Sequence, residues 1–236
     1  TTLGLASGIA NIYHRHPGVM LMGANTVAEA TGGRMILGMG VSSPAIVSKV
    51  RGIDYGKPLA FLRTYLEAME ASMYTAVAPA ESVPVVLAAL GPRMLELAAE
   101  KTAGAHPYNT TPEHTAMARE VMGPHAGLFV EQKVIFTEAP AVARATGGKV
   151  LRFYSRAPGY VNAWKRMGFS DDDISTQSDR LIDAIVAWGT ADQIEARLQE
   201  HADAGASHVG IHPLHPEDGQ GQPDDDALVA FAPGNS

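Results

Sequence analysis

Glycines and short side chains end several apolar runs of this sequence, where a missing side chain exposes the main chain to a ligand. In the stretch TGGRMILGMGVSSP, Gly40, Val41 and Ser42 directly follow such a run. Glycine has no Cβ, so the backbone at this point can approach a flat ligand closely. A tight turn between a strand and a helix is the alternative, because Gly-x-Gly is common and the Gly-x-Gly-x-x-Gly dinucleotide fingerprint is incomplete here.

The run PVVLAALGPRM contains the best anion site that the sequence offers. Ala89, Leu90 and Gly91 end the run, and Pro92 stands at the first position of a predicted helix. The N–H groups and the positive dipole end of a helix N-terminus suit a phosphate group. Arg93 could add positive charge, although an arginine in a first turn is more often solvated. This helix start is therefore our candidate phosphate site.

His106 ends the short run GAH and is our candidate catalytic residue. An imidazole titrates near neutral pH, so it can hydrogen-bond a phosphate or exchange a proton with a substrate. A histidine held by a structural hydrogen bond is the alternative. His212, His215 and Asp218 have a spacing that fits no compact metal motif, so we predict no metal site.

Apolar runs alternate with amphipathic stretches along most of the chain, which is the rhythm of βα units in a parallel sheet. We predict strands near residues 3–9, 35–39, 84–89, 104–107, 130–137 and 207–212. Residues 139–188 hold two or three helices without a clear strand, so we predict a helical insertion in a single domain, residues 1–236. The pattern favours a (β/α) barrel or an open doubly wound sheet, and a last strand followed only by a tail favours the barrel.

Helix starts and stops are marked by individual residues. Pro17, Pro58, Pro92 and Pro112 are predicted first-turn residues, and Ser170 and Thr190 begin sequences typical of a capping box. We expect His16 to cap the helix that Gly32 and Gly33 end, and Arg34 to form a structural salt bridge.

The composition excludes several classes of protein. Eighteen Lys and Arg against 25 Asp and Glu give a formal net charge of -7, so nucleic acid is not an expected partner. The absence of cysteine excludes disulfides and thiolate chemistry. No apolar run approaches the roughly 18 to 20 residues that cross a bilayer, and no leader pattern is present. We therefore expect a cytoplasmic protein without a membrane partner.

The segments SGIANIYHRHPGVMLMGANTVAEATGGRMILGMGVSSP and AALGPRMLELAAEKTAGAHPY closely resemble the luciferase-like monooxygenase superfamily. More narrowly, they resemble its oxidoreductases that use the deazaflavin coenzyme F420. DYGKPLAFLRTYLEAM and GASHVGIHPL match in the same order, so the resemblance covers nearly all of residues 1–232. It implies an α/β fold, a TIM-type (β/α)8 barrel with an inserted region near the seventh strand. LGLASGI then corresponds to the third barrel strand, so we expect the first two βα units upstream, with a shortened, partner-dependent barrel as the alternative.

The resemblance also implies a cofactor site. The Gly8–Ile9 bond corresponds to a non-prolyl cis peptide that the family often has beneath its flavin ring; without the resemblance, a plain glycine turn is the simpler interpretation. The predicted cofactor-binding residues are Gly8, Ile9, Asn11, Gly40, Val41, Ser42, Ala89, Leu90, Gly91 and Pro92. Several relatives have an acidic residue where this chain has Ser43, so the proton donor and acceptor stay unassigned.

We therefore expect an oxidoreductase that transfers a hydride between coenzyme F420 and a small alcohol, aldehyde or activated alkene, and the resemblance implies a homodimer. In such chemistry the cofactor supplies the reaction and the protein supplies position and a dry pocket. An FMN-dependent monooxygenase that uses reduced flavin and O₂ is the alternative. A non-catalytic flavin- or deazaflavin-binding protein represents a different class.

Overall fold

The computed structural model describes residues 2–232. The chain forms two compact units. Unit 1 comprises Thr1–His106 and Val121–Gly127, and unit 2 comprises Pro107–Glu120 and Leu128–Ser236. The single domain over residues 1–236 stays a prediction, and its ends, Thr1 and residues 233–236, lie outside the described residues.

Unit 1 alternates strands and helices, as the apolar pattern predicts. Its elements are β1 (Leu5–Asn11), α1 (Pro17–Ala30), β2 (Met35–Gly40), α2 (Pro58–Glu70), β3 (Val85–Ala88), α3 (Pro92–Lys101) and β4 (Gly104–His106). The strands pair in the order β1-β2-β3-β4, and each pair is parallel. A 3-10 turn at Ile12–His14 follows β1, and a π-helical turn at Ala45–Val50 follows β2. The predicted α/β class with parallel strands is confirmed.

The residues predicted to begin and end α1 are confirmed. His16 is the N-cap, because its Nδ1 accepts a hydrogen bond of 3.2 Å from the Gly18 amide. Gly32 and Gly33 have φ values of 65° and 82°, in the left-handed region that glycine adopts without strain. The Gly33 amide then donates to the Ala28 carbonyl at 2.8 Å, which satisfies a carbonyl of the last turn.

Helix α1 contacts both α2 and β2, and α2 also contacts α3. The buried side chains of this core are Met20, Ala24 and Ala28 of α1, Leu62, Leu66 and Met69 of α2, Leu37 and Met39 of β2, and Leu87 of β3. Val27, an apolar residue of the same helix, is 38% exposed. Val27 directly precedes the buried Ala28. Because successive residues of a helix point about 100° apart, the two side chains cannot both face inward.

Arg34 precedes β2 and has a structural role, but among the described residues it forms hydrogen bonds to carbonyls in place of the predicted salt bridge. Its Nε donates to the Thr31 carbonyl at 2.9 Å, and its Nη1 donates to the Leu3 carbonyl. The guanidinium therefore ties the start of β2 to the segment before β1 through main-chain oxygens.

The remaining elements build most of unit 2. They are α4 (Pro112–Met122), β5 (Gly127–Ile135), α5 (Pro140–Tyr154), α6 (Pro158–Arg166), α7 (Asp171–Thr176), α8 (Asp179–Ile185), β6 (Val186–Trp188), α9 (Ala191–Asp203), β7 (His208–Pro213) and α10 (Asp225–Ala230). Strand β5 pairs in parallel with both β6 and β7. Ser170 and Thr190 each form the predicted capping box, at the starts of α7 and α9.

The segment of residues 139–188 differs from its prediction in one respect. It contains four helices, α5 to α8, rather than two or three, and its last three residues form a strand. Val186 to Trp188 pair with Lys133 to Ile135 of β5. A three-residue strand that directly continues a helix has too few positions to show an alternating pattern.

The core of unit 2 surrounds Trp164, whose side chain is fully buried. Its indole Nε1 donates to the Asn109 carbonyl at 3.0 Å, which satisfies its polar atom. Ile135, Val150, Leu151, Phe169, Ile174, Leu181, Ile182, Ile185, Val186 and Leu214 belong to the same cluster. Within residues 2–232, every helix is too short or too polar to span a lipid bilayer.

Candidate functional site

The parallel register of unit 1 aligns the ends of its four strands. Asn11 pairs with Gly40, Met39 pairs with Leu87, and Ala88 pairs with His106. Asn11, Gly40, Ala88 and His106 therefore form a row along one edge of the sheet, which we call the strand-end row. The carboxyl edge of a parallel sheet is where ligands bind in α/β proteins. Residues predicted from separate parts of the sequence are thus brought together.

Two glycines of β2 are explained by close packing between strands. A Cβ on Gly40 would lie 2.7 Å from Ile9 Cγ2 and 3.0 Å from Ala88 Cβ. A Cβ on Gly38 would lie 2.4 Å from the Ser7 carbonyl oxygen. Ser7 Oγ also donates to the Gly38 carbonyl at 3.1 Å and accepts from its amide at 3.0 Å. The Ile9 side chain thus occupies part of the space left by Gly40. Close contact with β1 also requires glycine at position 38, which was not predicted from the sequence.

The predicted cis peptide at Gly8–Ile9 is wrong, because the described residues contain no cis bond. The irregularity of β1 is instead a shift of register between Ser7 and Ala10, typical of a β-bulge. The bulge takes up the extra chain length while the peptide bonds remain trans. A Cβ on Gly8 would meet nothing within 4 Å, so packing does not require glycine there.

Asn11 is held by local hydrogen bonds. Its Oδ1 accepts from the Tyr13 amide at 2.9 Å and caps the 3-10 turn. Its Nδ2 lies 3.4 Å from His14 Nε2. These contacts fix the Asn11 side chain at the end of β1, and its role as a cofactor ligand stays a prediction.

Aromatic side chains tie the loops after β1 and β2 together. Ser42 has a φ of 56°, and its carbonyl accepts from Tyr55 Oη at 3.2 Å. Tyr13 stacks on Tyr55 and on Phe61, with centroid separations of 5.2 and 4.7 Å, and donates to the Tyr55 carbonyl at 2.6 Å. Burial, helped by Tyr55 and Asp54, raises the pKa of Tyr13 to about 12, so its hydroxyl stays a donor at neutral pH. Val41, which directly follows β2, is half-buried.

A cavity of about 640 Å³ opens beside this aromatic group. Its walls come from the loop after β1, including Tyr13, His14 and Arg15, and from Phe61 and Tyr65 of α2. Tyr65 Oη donates to the Arg15 carbonyl at 2.9 Å and holds the loop against the helix. Tyr13 and His14 therefore line a cavity at the loop that directly follows β1.

The start of α3 offers fewer amides to an anion than the sequence suggests. Pro92 occupies the first turn as predicted, and Gly91 is the N-cap without a side-chain hydrogen bond. The amides of Met94 and Leu95 both donate to the Gly91 carbonyl, at 3.0 and 3.1 Å. Among the residues that the structure describes, the Arg93 amide is the first-turn donor without an intrachain acceptor. Ala89, which follows β3, is buried.

Unit 2 holds a second set of polar groups, which sequence reasoning missed. Lys133 Nζ donates to Glu131 Oε1 at 2.9 Å, and the side chains are 0% and 7% exposed. Tyr108 Oη lies 3.0 Å from His212 Nδ1 and 2.9 Å from Tyr154 Oη. His212 Nδ1 lies 3.4 Å from Glu131 Oε1. We call these five residues the polar cluster.

Electrostatics within the polar cluster favour a charged pair. Burial alone would raise the pKa of Glu131, but Lys133, His212 and the Asn109 amide lower it below its ordinary value. Burial lowers the pKa of Lys133, against the opposing attraction of Glu131. The signal in the sequence was the pair of charges two residues apart in the run FVEQKVIF, which places both on one face of a strand.

Two polar side chains after β4 are buried without a partner. Asn109 and Thr110 are each 1% exposed. In the described part of the chain, the Asn109 side-chain amide and the Thr110 hydroxyl have no hydrogen-bond partner. A buried polar atom without a partner costs about 1 to 3 kcal/mol, so such groups often face a ligand. Within residues 2–232, no group of His, Asp and Glu is arranged to hold a metal ion.

Comparison with known proteins places the chain in a family. Residues 1–208 match the family described as luciferase-like monooxygenase. The 5,10-methylenetetrahydromethanopterin reductase of Archaeoglobus fulgidus is 21% identical over 253 residues, which cover 88% of this chain and 76% of that protein.

Solved structures show the same fold. The coenzyme F420 dependent tetrahydromethanopterin reductase from Methanopyrus kandleri superposes with a TM-score of 0.69 at 20% identity, over 91% of this chain and 78% of that one. An F420-dependent secondary alcohol dehydrogenase, in complex with an F420-acetone adduct, gives 0.68 at 14% identity, over 91% and 74%. These likenesses confirm the predicted fold class, the TIM-type barrel of luciferase-like enzymes. The chain belongs to the luciferase-like monooxygenase family.

Proposed function

We propose that this protein is an oxidoreductase that transfers a hydride between coenzyme F420 and a small alcohol, aldehyde or activated alkene. The observation that carries the proposal is the strand-end row, in a chain whose similar structures include two F420-dependent enzymes. Asn11, Gly40, Ala88 and His106 present main chain and small or polar side chains along one edge, which suits a flat ring better than a bulky apolar face would.

The described residues fit a phosphorylated ring cofactor, although not at every predicted position. The backbone from Gly40 to Ser42 and the Arg93 amide offer main-chain groups to such a cofactor. Ile9 narrows the space over Gly40, so a ring there would contact its side chain. When bound, coenzyme F420 would supply the hydride acceptor or donor.

The protein's part in this chemistry is position and proton transfer. His106 ends β4 in the strand-end row and is our candidate to hydrogen-bond a phosphate or a substrate oxygen. The cavity beside Tyr13 and Phe61 would receive the apolar body of a substrate and exclude water from it. Asn11 would orient the loop that forms one wall of this cavity.

A second candidate function follows from the family itself. Its description as luciferase-like monooxygenase favours an FMN-dependent enzyme that uses reduced flavin and O₂. A non-catalytic flavin- or deazaflavin-binding protein would use the same strand-end row without turnover. The homodimer and the cytoplasmic location stay predictions, the first to be measured by analytical ultracentrifugation.

Cofactor binding separates these candidates. We expect purified protein to quench the fluorescence of coenzyme F420 on titration and to bind FMN more weakly. His106→Ala should weaken F420 binding, while Asn162→Ala, an exposed change on α6, should not. Tight binding of FMN with no binding of F420 would overturn the order of the first two candidates. Saturable binding without turnover of a panel of alcohols and enones would support the non-catalytic alternative.

A further inference from the structure

A cavity of about 440 Å³ lies in unit 2, with walls from α5 and from the junction of α7 with α8. This volume falls within the range of about 300 to 1,000 Å³ that is usual for small-molecule sites. The charged side chains among the described residues of its wall are Arg144, Lys149, Arg152 and Asp179. Three cations against one carboxylate give the wall an excess of positive charge, although the whole chain has a formal net charge of -7. The cavity therefore favours an anion.

The spacing of residues along α5 sets out the cationic wall. Arg144, Gly148 and Arg152 follow one another at intervals of four residues, so they lie on one face of the helix. Gly148 is buried, and a Cβ there would lie 3.3 Å from Ile182 Cδ1 of α8. Glycine at this position therefore leaves no side chain of α5 between the two arginines. Lys149 precedes Arg152 by three residues and is its neighbour on the helix surface.

Arg144 has a structural role in this wall. Its Nε and Nη2 donate to the two carboxylate oxygens of Asp183, at 3.1 and 2.7 Å. Its Nη1 lies 2.9 Å from Asp179 Oδ2. These carboxylates of α8 compensate the charge of Arg144, so the excess positive charge of the cavity belongs to the other two cations.

Arg152 is held in place without losing its charge. Its Nε donates to Gln177 Oε1 at 2.8 Å, and Gln177 is 6% exposed. The Gln177 Nε2 donates to the carbonyls of Ile174 and Ser175, which directs its oxygen to the guanidinium. Because an amide oxygen is neutral, it orients Arg152 without forming an ion pair. In the described part of the chain, the Nη nitrogens of Arg152 and the Nζ of Lys149 have no acceptor.

We propose that this cavity binds the phosphate group of a small phosphate monoester, with Arg152 and Lys149 as its ligands and Gln177 as a positioning residue. The two N–H groups of a guanidinium fork match two phosphate oxygens, and the ammonium reaches a third as a point charge. A monoester is doubly charged above its second pKa, so two cations balance it. The cavity is larger than the phosphate group and leaves room for the esterified part. The site goes beyond the proposed hydride transfer, because every residue that it uses lies in unit 2.

Calorimetric titration without any coenzyme tests the site. At constant ionic strength, above the second pKa of the phosphate, we expect saturable binding of glycerol 3-phosphate, weaker binding of inorganic phosphate and still weaker binding of succinate. Arg152→Gln and Lys149→Gln, both exposed changes, should each weaken the binding of glycerol 3-phosphate by about tenfold or more. Lys57→Gln removes one exposed cation from unit 1 and should bind like wild type.

Three results would contradict the proposal. Absence of saturable binding, or wild-type affinity in both Arg152→Gln and Lys149→Gln, would overturn the site. Succinate that binds as tightly as glycerol 3-phosphate would overturn the phosphate group as its ligand. Equal affinities for inorganic phosphate and glycerol 3-phosphate would support a phosphate site but overturn the monoester.

The positioning role of Gln177 has its own measurement. The NMR signal of the Arg152 Nε–H should be protected from exchange with water in wild type and lose that protection in Gln177→Met, while the Arg144 Nε–H signal stays unchanged. Glycerol 3-phosphate should bind Gln177→Met more weakly, and wild-type affinity would overturn the role of Gln177. Arg152→Lys tests the same point without changing the buried amide. It keeps the charge but lacks the oriented fork, so wild-type affinity of this variant would also overturn that role.

Discussion

His201 Nε2 lies 2.9 Å from the side-chain oxygen of Gln132, in the interior of unit 2. The opposite ring nitrogen, Nδ1, lies 2.8 Å from Thr115 Oγ1, and His201 is 0% exposed. Gln132 in turn donates to the carbonyls of Lys133 and Ile185, at 2.8 and 2.9 Å. The imidazole is thus a fully satisfied neutral group that links α9 to β5 and α4.

This burial predicts that acid destabilises the protein through His201. Desolvation, with Arg197 nearby, lowers the pKa of His201 from 6.5 to about 4. The unfolded chain therefore binds this proton first as the pH falls, so stability is full above pH 6.5 and is lost between pH 6.5 and about 4. At pH 5 the loss from this residue should be about 2 kcal/mol relative to pH 7. Urea unfolding of wild type and His201→Gln at the two pH values measures it.

Each protein loses some unfolding free energy between pH 7 and pH 5, and other groups contribute to that loss in both. The effect of His201 is therefore the loss in wild type minus the loss in His201→Gln. His208→Gln, at the exposed start of β7, is the control and should keep the wild-type loss. An equal pH loss in wild type and His201→Gln would contradict the prediction.

The packing of β1 against β2 predicts a large cost for a single methyl group. Gly38→Ala would place Cβ 2.4 Å from the Ser7 carbonyl oxygen and 2.7 Å from the Gly8 carbonyl oxygen, and neither is a flexible side-chain atom. We expect the free energy of unfolding to fall by about 3 kcal/mol, at the upper end of the usual cost of overpacking. Gly23→Ala is the matched control, because its Cβ would meet nothing within 4 Å on α1. It should stabilise the protein by about 0.5 to 1 kcal/mol, and equal effects of the two changes would refute this account.

Much of the fold is predictable because local chemistry determines it. His16, Gly32 and Gly33 bound α1 through contacts only a few residues away, and Ser170 and Thr190 satisfy amides of their own helices. The short strand β6 escaped prediction because its conformation depends on pairing with β5, about 53 residues earlier in the chain.

In the candidate functional residues, too, local features could be predicted from the sequence and long-range contacts could not. Gly40 and His106 of the strand-end row could be named because apolar runs stop there, whereas Asn11 was named from the family resemblance. The contact of Tyr108 with His212 joins residues 104 positions apart, and no local pattern reports it. The bulge in β1 likewise arises from its register with β2, which no local pattern reports. The family resemblance therefore suggested a cis bond at Gly8–Ile9, where the peptide bond is trans.

The ion pair inside unit 2 predicts that its members depend on each other. Lys133→Met leaves the Glu131 carboxylate buried without its cation, at a cost of about 3 to 5 kcal/mol in unfolding free energy. Glu131→Gln removes that charge, so the double variant should be more stable than Lys133→Met alone. Chemical denaturation of the four proteins gives the coupling energy. Additive effects of the two changes would show that the pair contributes no mutual stabilisation.

Thr110 and Thr115 offer a paired test of which buried hydroxyl faces a ligand. Thr110 Oγ1 is buried with no hydrogen bond in the described part of the chain, whereas Thr115 Oγ1 is bonded to His201 at 2.8 Å. Thr110→Val should therefore leave the free energy of unfolding unchanged or raise it by about 1 kcal/mol, because it removes an unsatisfied group. Thr115→Val should lower it by about 1 to 2 kcal/mol, because it leaves His201 Nδ1 without its partner.

Binding completes the comparison. If the Thr110 hydroxyl is a ligand for a cofactor, Thr110→Val should weaken F420 binding about tenfold, as expected for loss of one hydrogen bond to a charged group. Thr115→Val should bind like wild type at a temperature where it is folded. Fluorescence titration measures both. A Thr110→Val variant that is more stable than wild type and binds F420 with wild-type affinity would show that this buried hydroxyl destabilises the fold and does not contact the cofactor.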